Sequence, residues 1–331
     1  MLSPSPSDNN GRYTRIISTG SYLPEKVLTN ADLERMVSTS DAWITERTGI
    51  KRRHIAADDE TSATMAAVAA RRALEKINLD KNEIELIICA TCTPDSFFPS
   101  TACLLQQKLG VQQKLPAFDV SAACAGFIYA LSICDQFIRS GTIKTALVVG
   151  CEVMSRIIDW SDRKVCVLFG DGAGAVILQA SDECGIISNH LYAQGQYKDL
   201  LYLNNSHTAA KKNNQSEYVH MQGHEVFKMA VNTLGAIVEE AIEKSDYEKK
   251  DIDWLVPHQA NLRIIKAAAK KLNMPLERVI LTVAEHGNTS AASIPLALDQ
   301  GISDGRIQPG NLLLFEAFGG GLAWGSTLVR Y

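Results

Sequence analysis

The sequence predicts an α/β protein built from two similar halves. Short apolar segments such as 85–91 alternate with helical patterns such as 61–74, which is typical of a parallel sheet covered by helices on both faces. An amphipathic helix precedes the apolar segment 83–89, and the same pair returns with segment 251–257. The length of 331 residues, with 46% hydrophobic and 21% charged, suits two domains with substantial cores.

Composition excludes several classes of protein. The formal net charge of −4 argues against nucleic acid as the main partner, and no apolar run reaches the roughly 18 residues of a membrane-spanning helix. Residues 1–11 lack a basic start and an apolar core, so we expect a flexible tail rather than a signal peptide. Eight scattered cysteines in so large a chain predict free thiols and a cytoplasmic protein.

The first elements follow in chain order. Residues 15–24 predict a strand and a turn, and Asn30 is the expected N-cap of the next helix. The stretch 41–53 predicts a loop whose tryptophan and basic side chains suit a flat ring and phosphates. Its alternative is a solvated charged face. The motif Cys89-Ala-Thr-Cys92 has no second cysteine pair for zinc and does not open a helix, so no metal or redox role is expected.

Cys124 lies between a predicted strand at 115–120 and a predicted apolar helix at 127–139. Only small residues surround it, so the backbone can turn tightly there. Unpaired N–H groups and the positive dipole end of a helix N-terminus favour an anion, which predicts a lowered pKa and a nucleophilic thiolate. The alternative is an inert buried cysteine.

Glycine-rich segments mark both halves. Segment 167–178 predicts a tight hairpin rather than a phosphate loop, because an apolar strand and not a helix follows its glycines. Segment 313–329 repeats the order of strand, glycine turn and strand. We therefore divide the chain into the tail, one half at 12–184 and a second half at 185–331.

Two further residues resemble Cys124 in their setting. His258 follows an apolar strand and precedes a helix, and Asn288 is flanked by glycine and small residues. Sites in α/β sheets collect at the carboxyl ends of strands, which related halves would bring together. Taken singly, each is explained as a core histidine or a turn residue. Together with Cys124 they predict one Cys-His-Asn site.

These motifs carry a family resemblance. Ala-Ala-Cys-Ala-Gly-Phe, Pro-His-Gln-Ala-Asn, Gly-Asn-Thr-Ser and a closing Phe-Gly-Gly-Gly-x-x-Trp-Gly resemble β-ketoacyl-[acyl-carrier-protein] synthase III of bacterial type II fatty acid synthesis. The resemblance runs from about residue 15 to Tyr331. It implies a thiolase-like fold with a layered α-β-α-β-α core, and a homodimeric enzyme. The implied reaction condenses an acyl-coenzyme A primer, acetyl-coenzyme A above all, with malonyl-acyl-carrier protein, without a metal or a cofactor beyond the coenzyme A substrate.

The resemblance also implies roles for individual residues. Cys124 is the nucleophile, His258 and Asn288 stabilise an enolate, and the backbone N–H groups of Cys124 and Gly320 form an oxyanion hole. Phe98 closes the acyl pocket of a partner subunit. The coenzyme A site comprises Trp43, Arg47, Arg163, Gly223, Phe227, Ala260 and Asn261.

A basic stripe follows His258 in the sequence. Arg263, Lys266 and Lys270 recur at helical spacing, and Lys271 and Lys228 extend the patch. We expect this patch to attract an acidic carrier protein; its alternative is a solvated helix face. Two other functions stay open here, namely a condensing enzyme of secondary metabolism and a catalytically silent acyl-binding scaffold.

Overall fold

The computed structural model describes residues 12–205 and 217–331, so the tail expected at residues 1–11 lies outside the described residues. The strands are β1 (Tyr13–Tyr22), β2 (Lys26–Thr29), β3 (Arg52–Ile55), β4 (Leu86–Ala90), β5 (Ala117–Val120), β6 (Thr145–Val153), β7 (Asp171–Ser181), β8 (Ile186–Ala193), β9 (Leu201–Tyr202), β10 (His220–Met221), β11 (Trp254–Pro257), β12 (Leu312–Gly319) and β13 (Ala323–Arg330). The α-helices are α1 (Asn30–Glu34), α2 (Asp41–Thr48), α3 (Ser62–Lys76), α4 (Thr101–Leu109), α5 (Gly126–Arg139), α6 (Gly223–Glu243), α7 (Leu262–Lys271), α8 (Val283–His286) and α9 (Ser293–Ser303).

Two mixed sheets form the framework. The first has the strand order β1-β7-β6-β4-β5 and the second the order β11-β12-β13-β8. Strand β4 is parallel to β5 and β6, whereas β7 is antiparallel to β6 and β1. The predicted parallel pairing is confirmed for β4 with β5 and β6 and for β11 with β12, and it is wrong for β7, because no crossover α-helix joins β6 to β7. The strands of the two sheets fall on either side of residue 184, and the domain boundary itself stays a prediction.

Apolar side chains define five layers. Helices α5 and α9 lie between the sheets, where Phe127 and Leu298 share one core with Ile88 of β4 and Phe315 of β12. Helices α3 and α4 pack on the other face of the first sheet, and α6 and α7 cover the other face of the second. The layered α-β-α-β-α core is confirmed.

The glycine-rich segment 167–178 is not a hairpin. Gly172 and Gly174 lie inside the single strand β7. A Cβ at Gly174 would lie 2.7 Å from the backbone nitrogen of Leu296 in α9. These glycines allow a helix to pack closely against the strand, so the predicted turn is wrong here. The echoing segment near the C-terminus does form a hairpin, from β12 and β13.

The stretch 41–53 also differs from its prediction. It forms helix α2 and strand β3 instead of a loop. The Ser40 side chain caps the start of α2, and Gly49 ends it with a φ of 78°. The N-cap of α1 is Thr29 and not Asn30, whose side chain instead donates to the Ile50 carbonyl at 2.8 Å.

Among the described residues, no helix combines the length and the apolar character needed to cross a bilayer. The same residues contain no group of three or more side chains placed to hold a metal ion.

Candidate active site

Cys124 lies where β5 gives way to α5, as the sequence predicts. Residues Ala123–Ala125 form a single 3-10 turn directly before Gly126. The φ of Ala123 is 45°, in the left-handed region that residues with a side chain rarely adopt. The Cys124 side chain is 8% exposed. A strained residue held next to a buried thiol is typical of a functional turn.

The predicted lowering of the Cys124 pKa is wrong. Burial raises the pKa of this thiol to about 12, and the Glu152 carboxylate also raises it. The nearby Ser290 hydroxyl and the backbone N–H of Cys124 itself lower the pKa without offsetting burial. The free-energy cost of removing water from a thiolate is larger here than the stabilisation that the few N–H groups of the turn provide. The thiol is therefore neutral at pH 7.

His258 directly follows β11, and its backbone N–H donates to the Glu316 carbonyl at 2.8 Å. Its Nδ1 lies 2.6 Å from Ser293 Oγ, which accepts the Gln259 N–H at 3.3 Å. The Ser293 hydroxyl can donate its hydrogen to Nδ1, an arrangement that leaves the ring proton on Nε2. Burial lowers the His258 pKa to about 4, so the ring is neutral at pH 7.

Gln259 is a residue that sequence reasoning missed. Its side chain is fully buried, and its Nε2 donates to the carbonyls of Pro257 at 2.8 Å and Ile280 at 3.0 Å. Its Oε1 accepts the N–H groups of Thr282 at 2.9 Å and Val283 at 3.1 Å. Segment 279–283 makes only an isolated parallel bridge between Val279 and Leu255, and the Gln259 side chain satisfies the N–H groups of Thr282 and Val283 beyond it. Gln259 thereby joins the segment that carries His258 to the one that leads to Asn288.

The Asn288 side chain is oriented by its own loop. Its backbone N–H donates to the Leu168 carbonyl at 2.9 Å, and its carbonyl accepts the Gly170 N–H at 3.0 Å. Asn288 Oδ1 accepts the Ser290 N–H at 2.9 Å. With the oxygen held this way, the Nδ2 hydrogens are left for the cavity. Asn288 is therefore oriented to donate a hydrogen bond into the cavity, and its role there stays a prediction.

One cavity of about 1210 Å³ brings the three predicted residues together. Cys124, His258 and Asn288 all line it, although they come from both halves of the chain. Ser290 and Cys92 line it as well, and the sequence analysis assigned a role to neither. Ser290 belongs to the Gly-Asn-Thr-Ser motif, so a signal existed for it. The catalytic roles of Cys124, His258 and Asn288 stay a prediction. The convergence of these three side chains on one cavity is a property of the fold.

The seven residues predicted to bind coenzyme A line the same cavity. The guanidinium carbons of Arg47 and Arg163 lie 5.1 and 5.3 Å from the centroid of the Trp43 ring. Asn261 Oδ1 caps α7 by accepting the Arg263 N–H at 2.8 Å, and its Nδ2 donates to the Arg47 carbonyl at 3.0 Å. These contacts fix an aromatic ring and two cations beside one another, and the binding of coenzyme A there stays a prediction.

The turn between β12 and β13 packs against the nucleophile. A Cβ at Gly319 would lie 2.7 Å from the Cys124 backbone nitrogen and 2.9 Å from its Cβ. Gly320, the predicted oxyanion-hole residue, lines the cavity. Only glycine at position 319 allows the turn to approach Cys124 this closely.

The residues predicted to contact partners are on the surface. Phe98 is 86% exposed and Phe97 69%. Arg263 lies with its guanidinium 4.8 Å from the Phe227 ring centroid, at the wall of the cavity. All five residues of the predicted basic patch are exposed, namely Lys228, Arg263, Lys266, Lys270 and Lys271. None of the five forms an ion pair with a residue in the ranges 12–205 and 217–331.

Comparisons with known proteins agree on one family. The family described as 3-oxoacyl-[acyl-carrier-protein (ACP)] synthase III matches residues 118–195, and its C-terminal part matches residues 242–331. The beta-ketoacyl-[acyl-carrier-protein] synthase III of Methylococcus capsulatus is 59% identical over 320 residues, which are 97% of this chain and 99% of that protein. The chain belongs to the 3-oxoacyl-[acyl-carrier-protein] synthase III family. The family resemblance of the sequence motifs is confirmed.

Solved structures of this family share the fold. The 3-oxoacyl-[acyl-carrier-protein] synthase III of Aquifex aeolicus is 49% identical with a TM-score of 0.91, over 96% of this chain and 100% of that one. The priming beta-ketosynthase of the R1128 polyketide pathway has the same TM-score of 0.91 at 35% identity, over 99% of this chain and 98% of that one. The thiolase-like fold is thereby confirmed, and the lower identity does not favour the alternative in secondary metabolism.

Proposed function

We propose that this acyltransferase of the 3-oxoacyl-[acyl-carrier-protein] synthase III family condenses an acyl-coenzyme A primer, acetyl-coenzyme A in the first place, with malonyl-acyl-carrier protein. The products are 3-oxoacyl-carrier protein, carbon dioxide and coenzyme A, which initiates fatty acid biosynthesis. The observation that supports this most is the convergence of Cys124, His258 and Asn288 on one cavity beside the Trp43 ring. The reaction consumes the coenzyme A thioester as a substrate and uses no further cofactor.

The first half-reaction transfers the acyl group to Cys124. Trp43, Arg47 and Arg163 hold the nucleotide of acyl-coenzyme A at the surface, and the cavity leads the thioester inward. Cys124 Sγ attacks the thioester carbonyl, its proton leaves, and coenzyme A departs as the thiol. The product is an acyl-cysteine.

The second half-reaction forms the carbon–carbon bond. His258 Nε2 and Asn288 Nδ2 donate hydrogen bonds to the thioester carbonyl of the malonyl group, so they stabilise the enolate that remains when carbon dioxide leaves. Both donors are neutral at pH 7, and neither has to gain or lose a proton. The carbanion attacks the acyl-cysteine, and the backbone N–H groups of Cys124 and Gly320 hold the tetrahedral oxyanion until the Cys124 sulfur is released.

The proposed macromolecular partners are the carrier protein and a second copy of the chain. The exposed cations on α6 and α7, with Arg263 at the cavity wall, are placed to attract an acidic carrier protein. Phe98 is a large apolar side chain at 86% exposure, and insertion into the acyl pocket of a second subunit would bury it. All eight cysteines are free thiols, which agrees with the proposed cytoplasmic location.

Acyl transfer and condensation can be tested separately. The purified protein is incubated with acetyl-, propionyl- or isobutyryl-coenzyme A, and the acylated residue is located by peptide mass spectrometry before malonyl-carrier protein is added. We expect the acyl group on Cys124 and a 3-oxoacyl-carrier protein after addition. A Cys103→Ala variant, which removes an exposed cysteine, should acylate normally. A protein that binds acyl-coenzyme A without forming an acyl-cysteine would instead be a silent scaffold.

A further inference from the structure

A fully buried arginine lies behind the loop that carries Asn288. Arg53, in β3, is 0% exposed, and it forms no ion pair with any residue that the structure describes. Burial lowers the pKa of Arg53 to about 10, so the side chain is still a cation at pH 7. A buried charge without an opposite charge is strongly destabilising unless its hydrogen bonds are made. The role of Arg53 therefore lies in the groups that it binds.

All the acceptors of this guanidinium are neutral oxygens. Its Nη2 donates to the Val167 carbonyl at 2.8 Å, and its Nη1 donates to Asn30 Oδ1 at 3.0 Å and to the Leu28 carbonyl at 3.2 Å. Leu28 belongs to β2, whereas Val167 belongs to segment 165–170, which contains no helix or strand. The Arg53 side chain thus ties an irregular segment to a regular one.

Segment 165–170 is the backbone partner of Asn288. The Leu168 carbonyl accepts the Asn288 N–H at 2.9 Å, and the Gly170 N–H donates to the Asn288 carbonyl at 3.0 Å. Phe169 and Asn288 thereby form an isolated parallel bridge. Val167, whose carbonyl Arg53 binds, directly precedes this bridge. An arginine in β3 therefore fixes the segment against which Asn288 is set.

The aliphatic part of Arg53 packs against the same place. A Cβ at Gly170 would lie 3.0 Å from the Arg53 Cβ, and a Cβ at Gly287 would lie 3.1 Å from it. These glycines lie directly beside Phe169 and Asn288, the two residues of the bridge. Phe169 and Asn288 line the cavity, and Arg53 is not among the described residues that do. Arg53 can therefore influence the reaction only through the residues that it supports.

We propose that Arg53 is a positioning residue for Asn288 in the decarboxylation of malonyl-carrier protein, a role that rests on the proposed function. When the bond from the malonyl α-carbon to its carboxylate breaks, the electron pair moves to the thioester carbonyl oxygen and carbon dioxide leaves. Asn288 Nδ2 donates to that oxygen. The Arg53 guanidinium holds segment 165–170, and this segment fixes the backbone of Asn288.

Loss of Arg53 should affect the two half-reactions unequally. A catalytic group displaced by about 1 Å can slow a reaction about a hundredfold, and Asn288 is the group that would move. Cys124 and His258 are carried by other elements, at the start of α5 and the end of β11. Acylation of Cys124 should therefore persist while decarboxylation slows.

Arg53→Met removes the donors and keeps a side chain of similar reach. We expect kcat for release of carbon dioxide from malonyl-carrier protein to fall at least about tenfold, with KM changed by less than about twofold, because the Asn288 hydrogen bond strengthens in the transition state. Acylation of Cys124 at saturating acetyl-coenzyme A, followed by rapid-quench mass spectrometry, should stay within about twofold of the wild-type rate. Arg53→Lys keeps the charge and part of the donor set, so it should recover part of the decarboxylation rate.

A double-mutant cycle separates positioning of Asn288 from general support of the core. Asn288→Ala already lacks the amide that Arg53 orients, and His258 still donates, so a residual decarboxylation rate should be measurable. In this background Arg53→Met should lower the rate no further, whereas independent structural damage would multiply the two losses. Arg278→Met is the matched control, because the Arg278 guanidinium also donates to backbone carbonyls, those of Ile252 and Asp253, away from the cavity. It should leave both half-reactions unchanged.

The outcomes separate the two proposals. Wild-type protein that forms no acyl-Cys124 and releases no carbon dioxide from malonyl-carrier protein would overturn the proposed function. Wild-type activity in both assays would leave that function intact, and the positioning role would then be overturned by any of three results: an unchanged decarboxylation rate in Arg53→Met, equal losses in both half-reactions, or multiplied losses in the double variant. If circular dichroism shows Arg53→Met to be unfolded, Arg53→Lys passes through the same assays and the same cycle and decides by the same criteria.

Discussion

The Gln259→Leu substitution tests how the two halves of the site are held together. Leucine has a similar size but leaves four buried backbone groups without their partners: the carbonyls of Pro257 and Ile280 and the N–H groups of Thr282 and Val283. Each lost hydrogen bond costs about 1 kcal/mol, so the free energy of unfolding should fall by about 4 kcal/mol. Because Gln259 fixes the chain beside His258, decarboxylation of malonyl-carrier protein should fall as well.

Urea unfolding at a fixed protein concentration measures this loss. Gln308→Leu is the control, because Gln308 also donates to a carbonyl, that of Gly305, but lies at the surface. Its effect should stay within about 0.5 kcal/mol. A loss below about 1 kcal/mol in Gln259→Leu would refute the reasoning, since water or relaxed backbone would then satisfy the four groups.

Three further predictions concern other parts of the molecule. Arg263→Glu should raise the KM for malonyl-carrier protein about tenfold, or roughly 1.4 kcal/mol, and slow condensation more than acylation; equal losses in both half-reactions, or no salt dependence, would mean a solvated surface. Burial lowers the pKa of His286 to about 4, below its value of about 6.5 in the unfolded chain. The unfolded state therefore binds more protons than the folded state between these two values, and the free energy of unfolding falls as pH drops from about 6.5 to 4. His286→Gln should therefore be less acid-sensitive in urea unfolding, and an unchanged slope would contradict this. Gly319→Ala should slow acylation of Cys124 at least about tenfold, because its Cβ would meet the backbone of that residue at 2.7 Å; Gly195→Ala, where a Cβ meets nothing within 4 Å, should acylate at the wild-type rate.

The positions of Cys124 and His258 could be predicted from sequence, because apolar strands followed by helices are visible as periodic patterns. The internal echo also indicated that both halves contribute to one site. Helix α2 was predictable in principle, since Ser40 and Gly49 are its capping residues, but its polar composition hid the pattern.

Other features depend on neighbours distant in the chain. Gly174 is required by the approach of α9, which no local pattern reveals. The pKa of Cys124 is raised by burial within an assembled cavity, so the local helix terminus gave the wrong direction. The contact of Cys92 Sγ with Ser290 Oγ at 3.8 Å joins residues 198 positions apart, and only the packed fold brings them together.

The Cys124→Ala variant tests the central assignment most directly, because the proposed mechanism separates the nucleophile from the carbonyl donors. Both condensation with acetyl-coenzyme A and release of carbon dioxide from malonyl-carrier protein are measured on the same preparation. The mechanism predicts that condensation is abolished while decarboxylation remains measurable, since His258 and Asn288 still stabilise the enolate. Condensation at the wild-type rate would contradict the assignment of Cys124 as the nucleophile.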